Sequence, residues 1–388
     1  MRGKMKIVIA ADSYKGTLSS PQVADIIERG LATSLPQAEY LKIPVADGGE
    51  GTVDAVVTAT CGSYISVEVT GPLGNVVNAS YGVTGDGTTA VIEMAAASGL
   101  PLVPSERLDA LGATTFGTGQ LIRDALKRGL RKIIIGLGGS ATTDGGVGMA
   151  QALGVKFLKA NGCELGYGGG ELLELKAIDC SQIDSRLREA SILVACDVDI
   201  LLYGDYGAAR NYARQKGATD EMINILDAGL ENYANVALAA TGIDAMAVPG
   251  CGAAGGTAAA LLYFFGASLV PGAELVLGTI EFEKKIVGAD LVITGEGRTD
   301  FQTLQGKAPA VVAQIANRHS IPAVCISGAL DDSAEELLDN GTFAAMFSTV
   351  VKPCAVADCL KNAEANLFRT AKNIGALLSV KNLTVRQE

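Results

Sequence analysis

Short unbroken apolar runs, each closed by a glycine- or acid-rich stretch and followed by a segment of helical period, set the rhythm at both ends of this chain. Residues 6–11 form the first run, β-branched and apolar up to Asp12, and read as a buried strand. A loop carrying Lys15 and Gly16 follows. Ser20-Pro21 then opens a helix, with serine as N-cap, proline at the first helical position and apolar residues at Val23, Ile26, Ile27 and Leu31. A second strand is expected over 40–45 and a helix over 53–59. The same grammar returns late in the chain, with strands over 291–294, 322–327 and 344–348 and a helix from about Lys307. Strand, loop and helix in repetition predict a parallel α/β sheet.

The middle of the chain has a different period. Residues 64–69, 76–83 and 88–94 alternate apolar with polar or small side chains, and Gly71-Pro72-Leu73-Gly74 and Gly85-Asp86-Gly87 supply turns between them. That pattern predicts an antiparallel meander. Further strands are expected over 132–137 and 192–196. The architecture expected is therefore α/β: a discontinuous Rossmann-like parallel-sheet domain made from both chain ends, 1–62 plus 288–388, with an inserted α+β domain, 63–287. The active site is expected in the cleft between them.

Bulk properties narrow the partners. A chain of 388 residues is too long for one core. A net charge of −11 without a basic run argues against nucleic acid or an anionic membrane surface. No apolar stretch reaches the ~18 residues of a membrane span, and the run that ends at Asp12 falls short of the ~7–15 residues of a secretory core. A cytoplasmic location is expected, and a homodimer is open to the chain. Eight scattered cysteines include no CxxC pair, and the one histidine, His319, sits at the end of a helical pattern, where a capping or surface role is expected. Zinc ligation and Ser–His–Asp or Cys–His machinery thus lack candidates, so any general base is a carboxylate or a lysine.

Three glycine-bracketed acidic clusters carry the candidate chemistry: Ala46-Asp47-Gly48-Gly49-Glu50-Gly51-Thr52, Gly138-Gly139-Ser140-Ala141-Thr142-Thr143-Asp144-Gly145-Gly146, and Thr294-Gly295-Glu296-Gly297-Arg298-Thr299-Asp300. Glycines let backbone N–H groups approach an anion, and carboxylates among them hold a divalent cation or take a proton. Asp47 and Glu50 would orient a small polyol or deprotonate its hydroxyl. Arg298, between two acids, suits a carboxylate or phosphate. Asp197 and Asp199, after the apolar run 192–196, suit Mg²⁺ or, equally, a helix N-cap. Lys15 occupies a loop suited to a phosphate contact. Gly252-Ala253-Ala254-Gly255-Gly256-Thr257 reads as close helix packing or a helix start. No Walker A pattern is present, and Gly136-Leu137-Gly138-Gly139-Ser140-Ala141 is only half of a dinucleotide fingerprint, because no ribose-binding acid follows at the right distance.

These segments, with Ala11-Asp12-Ser13-Tyr14-Lys15-Gly16, Ala195-Cys196-Asp197-Val198, Gln215-Lys216-Gly217-Ala218 and Gly306-Lys307-Ala308-Pro309, closely resemble the bacterial type I glycerate kinases from Lys6 to about Ala376. The resemblance implies ATP-dependent phosphorylation of D-glycerate, with 2-phosphoglycerate favoured over 3-phosphoglycerate. Its cofactors would be ATP and Mg²⁺. The expected catalytic residues are Asp47 as base, Asp197 and Arg298, converging on one spot. Lys15, Gly48, Gly49, Glu50 and Asp300 are expected to bind substrate. Gly138, Gly139, Ser140, Thr142 and Lys216 are expected to bind nucleotide, and Asp197 and Glu296 to hold the metal. One stretch departs from the family, which reads Cys-Asp-Val-x-Asn-Pro-Leu where this chain has Cys196-Asp197-Val198-Asp199-Ile200-Leu201-Leu202. Two other readings stay open: an NAD(P)-dependent oxidoreductase using the Gly136 loop, and a non-catalytic ligand-binding paralogue.

Overall fold

The computed structural model describes residues 4–352 and 355–380. The chain separates into two compact units, one comprising the chain up to Asp47, Asp54–Ala59 and the chain from Ala273, the other Gly48–Val53 and Thr60–Gly272. The first crossing between them falls inside the Asp47-Gly48-Gly49-Glu50 cluster.

The first unit holds a five-stranded sheet in the order Glu39–Lys42, Lys6–Ile9, Leu291–Thr294, Ala323–Ser327, Ala345–Ser348, every pair parallel. Parallel strands covered on both faces need continuous apolar runs. Accordingly Ile7, Val8, Ile9, Ala10 and Ala11 are fully buried. Helix Ser20–Ala32 presents Val23, Ile27 and Leu31 to this sheet and shares its core with Leu367 and Ile374 of helix Ala363–Leu378. In the unit's own numbering the strand order is 2-1-3-4-5. That order sends the connections after strands 1 and 3 to opposite faces, which opens a crevice at their carboxyl ends.

The second unit carries a mixed six-stranded sheet, Ser268–Val270, Ser191–Ala195, Lys132–Gly136, Thr89–Glu93, Val76–Val83, Ser63–Thr70. The last three strands form the expected antiparallel meander, and Thr89–Glu93 joins it to a parallel half.

Two local expectations need adjustment. The strand expected over 40–45 stops at Lys42, because Pro44 has no N–H to continue the ladder, although Ile43 still donates to Ile9 O at 2.9 Å. The first helix is capped by Ser19, whose N–H is met by the Gln22 side chain at 2.9 Å. Ser20 serves elsewhere: its hydroxyl donates to Ala11 O at 2.7 Å and accepts from Val45 N–H at 3.1 Å, tying together the chain just before Asp12 and just before Asp47. No described helix is long and apolar enough to cross a membrane.

Candidate active site

Within the first unit, a cavity of about 630 Å³ lies where the first and third strands end, and Asp12, Lys15, Asp47, Glu296, Arg298 and Lys307 line it. Each polar group arrives there by a traceable local cause. Asp12 is the first polar residue after the buried run, and its N–H donates to Gly295 O at 2.8 Å, so the two strand ends are held in register. Tyr14 OH donates to Ile326 O at 2.8 Å and anchors the first loop on the fourth strand. Gly295 admits no side chain, since a Cβ there would stand 1.8 Å from Ile326 O. That close approach carries the chain past the sheet edge and sets Glu296 inward. Glu296 Oε1 accepts from Thr299 Oγ1 at 3.1 Å and Thr303 Oγ1 at 2.6 Å, while Oε2 faces Lys307 Nζ at 3.8 Å.

Five carboxylates line this cavity, and the acidity of the two buried ones, Asp12 and Glu296, is altered. Asp12, 4% exposed, is pushed up to about 7, first by burial, then by the charges of Asp47 and Glu296, against the opposing hydrogen bond from Ser13 N–H and the charge of Lys15. Burial likewise raises Glu296, against its threonine bonds and Lys307. Lys15 Nζ meets Asp47 Oδ2 at 3.0 Å. Buried acids whose ionisation is disfavoured by burial and by one another form a set that a divalent cation would relieve. Among the described residues no group of three or more His, Cys, Asp or Glu is gathered as a complete metal cage. Mg²⁺ does not require one, because it commonly binds through one or two carboxylates plus substrate phosphates.

Arg298 also faces the cavity. Its guanidinium pairs with Asp331 Oδ2 at 2.7 Å and lies 3.6 Å from Asp300 Oδ2, with the side chain 64% exposed. Asp300 is in part a structural residue, since its Oδ1 accepts from Gln302 N–H at the start of helix Phe301–Leu304.

The expected nucleotide residues and Asp197 belong to the second unit. Lys216, Ser140 and Thr142 do come together, but under cover. Lys216 Nζ donates to Ser140 Oγ at 3.0 Å and Thr142 O at 2.5 Å, and these residues are 1%, 7% and 0% exposed. Burial lowers the lysine to about 7, against the charge of nearby Asp144. Asp144 itself is sunk among N–H and O–H donors of Thr115, Gly146 and Gly148. Gly138 and Gly139 are exposed. Segment 254–256 is the close contact its sequence suggests, left-handed at three consecutive residues, with a Cβ on Gly255 only 2.1 Å from Thr142 O. Asp197 is exposed, and its Oδ1 accepts from the N–H of Gly272, the first residue of helix Gly272–Thr279, at 2.8 Å. Gly48 is buried, with a backbone φ of +88° and no room for a Cβ against Ala195; Gly49 is half-buried and Glu50 exposed. In the departing stretch, Asp197, Val198 and Asp199 are exposed, and Leu202 is a core residue.

Asp12 and Lys307 line the cavity, and both sit in motifs that carry the family resemblance, but the sequence pattern alone attaches no role to either. The available signal was Asp12's position, an acid closing the first buried strand. The oxidoreductase reading loses its structural context, because strand Lys132–Gly136 is followed by an irregular loop and the next helix begins only at Val147. A dinucleotide fingerprint needs the helix to start within it. His319 ends helix Ala308–Arg318 and bonds Glu283 at 3.0 Å on the surface.

Comparison with known proteins gives the family. The glycerate kinase family model matches residues 7–379. A glycerate 2-kinase of Escherichia coli (strain K12) is 50% identical over 376 residues, 97% of this chain and 98% of the relative. A glycerate kinase of Bacillus subtilis (strain 168) is 47% identical, with 97% and 98% covered. A crystal structure from Salmonella typhimurium LT2, assigned as a glycerate kinase 2, superposes with a TM-score of 0.86 at 49% identity, over 97% of this chain and 98% of that one. On a full-length family match and near-complete coverage of close relatives, the chain belongs to the glycerate kinase family.

Proposed function

We propose that the chain transfers the terminal phosphoryl group of Mg·ATP to D-glycerate and that the product is 2-phosphoglycerate. The observation that carries this reading is the convergence of Asp12, Asp47 and Glu296 with Lys15, Lys307 and Arg298 on one cavity at the sheet's switch point. The Escherichia coli relative's name, glycerate 2-kinase, supports the choice of hydroxyl.

Phosphoryl transfer asks a protein mainly for positioning and charge compensation. Lys15 and Lys307 supply cationic contacts for the phosphates. Arg298, already held by Asp331 and Asp300, offers its guanidinium edge to the glycerate carboxylate or the transferred group. Asp47 takes the proton of the attacking hydroxyl as the new O–P bond forms and the bond to ADP breaks. Glu296 and Asp12 are the residues that would hold Mg²⁺, which when bound neutralises charge on the phosphate oxygens. With the metal in place, the burial that disfavours two anions there becomes an advantage, because the same low dielectric strengthens their pull on the cation.

The test is a coupled ADP-release assay with D-glycerate, with phosphorus NMR to read the product. Wild-type protein that releases no ADP in response to D-glycerate would sink the kinase reading. Asp47→Asn lowers kcat by ~10² or more if Asp47 is the base. A near-normal kcat in that variant removes Asp47 from the role.

A further inference from the structure

The cavity is larger than its charged end requires. A three-carbon acid and a cation occupy only part of about 630 Å³, a size that suits nucleotide-scale ligands. The remainder is walled by Leu330, Val350, Val356, Leu360 and Ala363, with Cys359 among them and Asn366 at the edge. Val350, Val356 and Leu360 are 38%, 74% and 48% exposed, so three apolar side chains face water beside a charged pocket. Scattered exposed leucines and valines need no explanation, but several lining one concave surface do. They come from helix Val356–Lys361, the start of helix Ala363–Leu378 and the segment after strand Ala345–Ser348. The second of these helices is fixed to the unit's core through Leu367 and Ala371.

We infer that this apolar wall, Leu330, Val350, Val356 and Leu360, is the seat of the nucleoside half of ATP, with the triphosphate running toward Lys15 and Lys307. The inference rests on the kinase reading above and gives it a place for the base. Three observations support it. The apolar side chains and the cationic ones line one cavity, as a ligand that joins a flat base to a chain of phosphates requires. The other substrate, glycerate, has no apolar part with which to use that wall. The lining also includes a carboxamide, Asn366, whose Oδ1 accepts from Arg369 Nη1 at 3.2 Å and whose NH₂ is a donor of the kind that reads a base edge. By contrast, Lys216, Ser140 and Thr142 are under cover and bonded to one another.

Two kinds of measurement test the assignment. Leu360→Asp and Val356→Asp place a charge against the base; because both side chains are exposed, melting temperature should match the parent. Each variant should raise KM for ATP at least tenfold while leaving KM for D-glycerate, and inhibition by inorganic tripolyphosphate, within twofold. Tripolyphosphate shares the phosphates but has no base. Separately, alkylation of Cys359 by iodoacetamide, read by peptide mass spectrometry in the wild-type protein, should slow at least fivefold with saturating ADP and not with D-glycerate. Unchanged KM for ATP in both variants together with no ADP protection of Cys359 overturns the placement. A change in oligomeric state with KM for ATP unaltered overturns it too, and gives the wall to a second copy of the chain. If wild-type protein releases no ADP with D-glycerate, the kinase reading falls, while the Cys359 protection still reports by itself where ADP sits.

Discussion

Replacing Asp12 by asparagine separates what this residue does for the fold from what it does for the chemistry, and the two effects have opposite signs. In the folded protein the carboxyl is raised from 3.8 to about 7 by burial and by Asp47 and Glu296. A little over three pH units at about 1.4 kcal/mol each means that keeping Asp12 ionised in the metal-free fold is unfavourable by ~4 kcal/mol. Between those two pH values the folded state binds more protons than the unfolded state, so this contribution to stability is complete below about pH 4 and is lost as pH rises through about 7. Asparagine keeps the Oδ1 that accepts Ser13 N–H at 2.6 Å and has nearly the same volume, though burying its own amide offsets part of the gain. Asp12→Asn should therefore be more stable than wild type by ~2–3 kcal/mol at pH 8 without Mg²⁺. The advantage should shrink steadily and vanish near pH 4. The assay is urea denaturation at a series of pH values, monitored for the first unit. Activity should move the other way, with kcat/KM down ~10² or more. Added Mg·ADP should stabilise wild type more than the variant. A variant that is less stable at pH 8 than wild type, or whose stability difference is flat across pH, refutes the reasoning, because Asp12 would then not be carrying an unfavourable buried charge.

Two further outcomes follow from the same structure. Lys216, lowered to about 7 by burial, titrates in the opposite sense. The unfolded chain holds its proton up to about 10.5, so wild-type stability should climb by ~2–3 kcal/mol between pH 7.5 and 9.5 relative to Lys216→Met, as read by urea midpoints; parallel pH profiles would show that the amine is not desolvated. Gly295→Ala places a Cβ 1.8 Å from Ile326 O, a backbone atom that cannot step aside, and should destabilise by ~3 kcal/mol or more. Gly297→Ala meets nothing closer than Tyr14 Cα at 3.5 Å and should be nearly neutral; equal thermal melts for the two would contradict the packing argument.

The local pattern of the chain determined its elements and much of its family. Buried parallel strands need unbroken apolar runs, so 6–11 and 291–294 announced themselves, and alternation over 64–94 announced the meander. Strand order, by contrast, is a choice among long-range pairings, and no stretch of residues encodes that Lys6–Ile9 lies beside Leu291–Thr294. Only that pairing makes Asp12 a neighbour of Glu296, and only burial, with the charges of Asp47 and Glu296 beside it, gives Asp12 its altered acidity. The same limit explains the residues whose setting could not be foreseen. Lys216, Ser140 and Thr142 look like phosphate contacts as a list of polar groups, and Asp197 looks like a metal ligand at a strand end. Whether a polar side chain meets a ligand or its own backbone depends on which surface covers it, and the tertiary fold covers the first three and gives Asp197 a helix start to cap. Residue type and spacing thus determine what chemistry a chain can do; desolvation and proximity, which exist only once distant segments are packed, decide which residues do it.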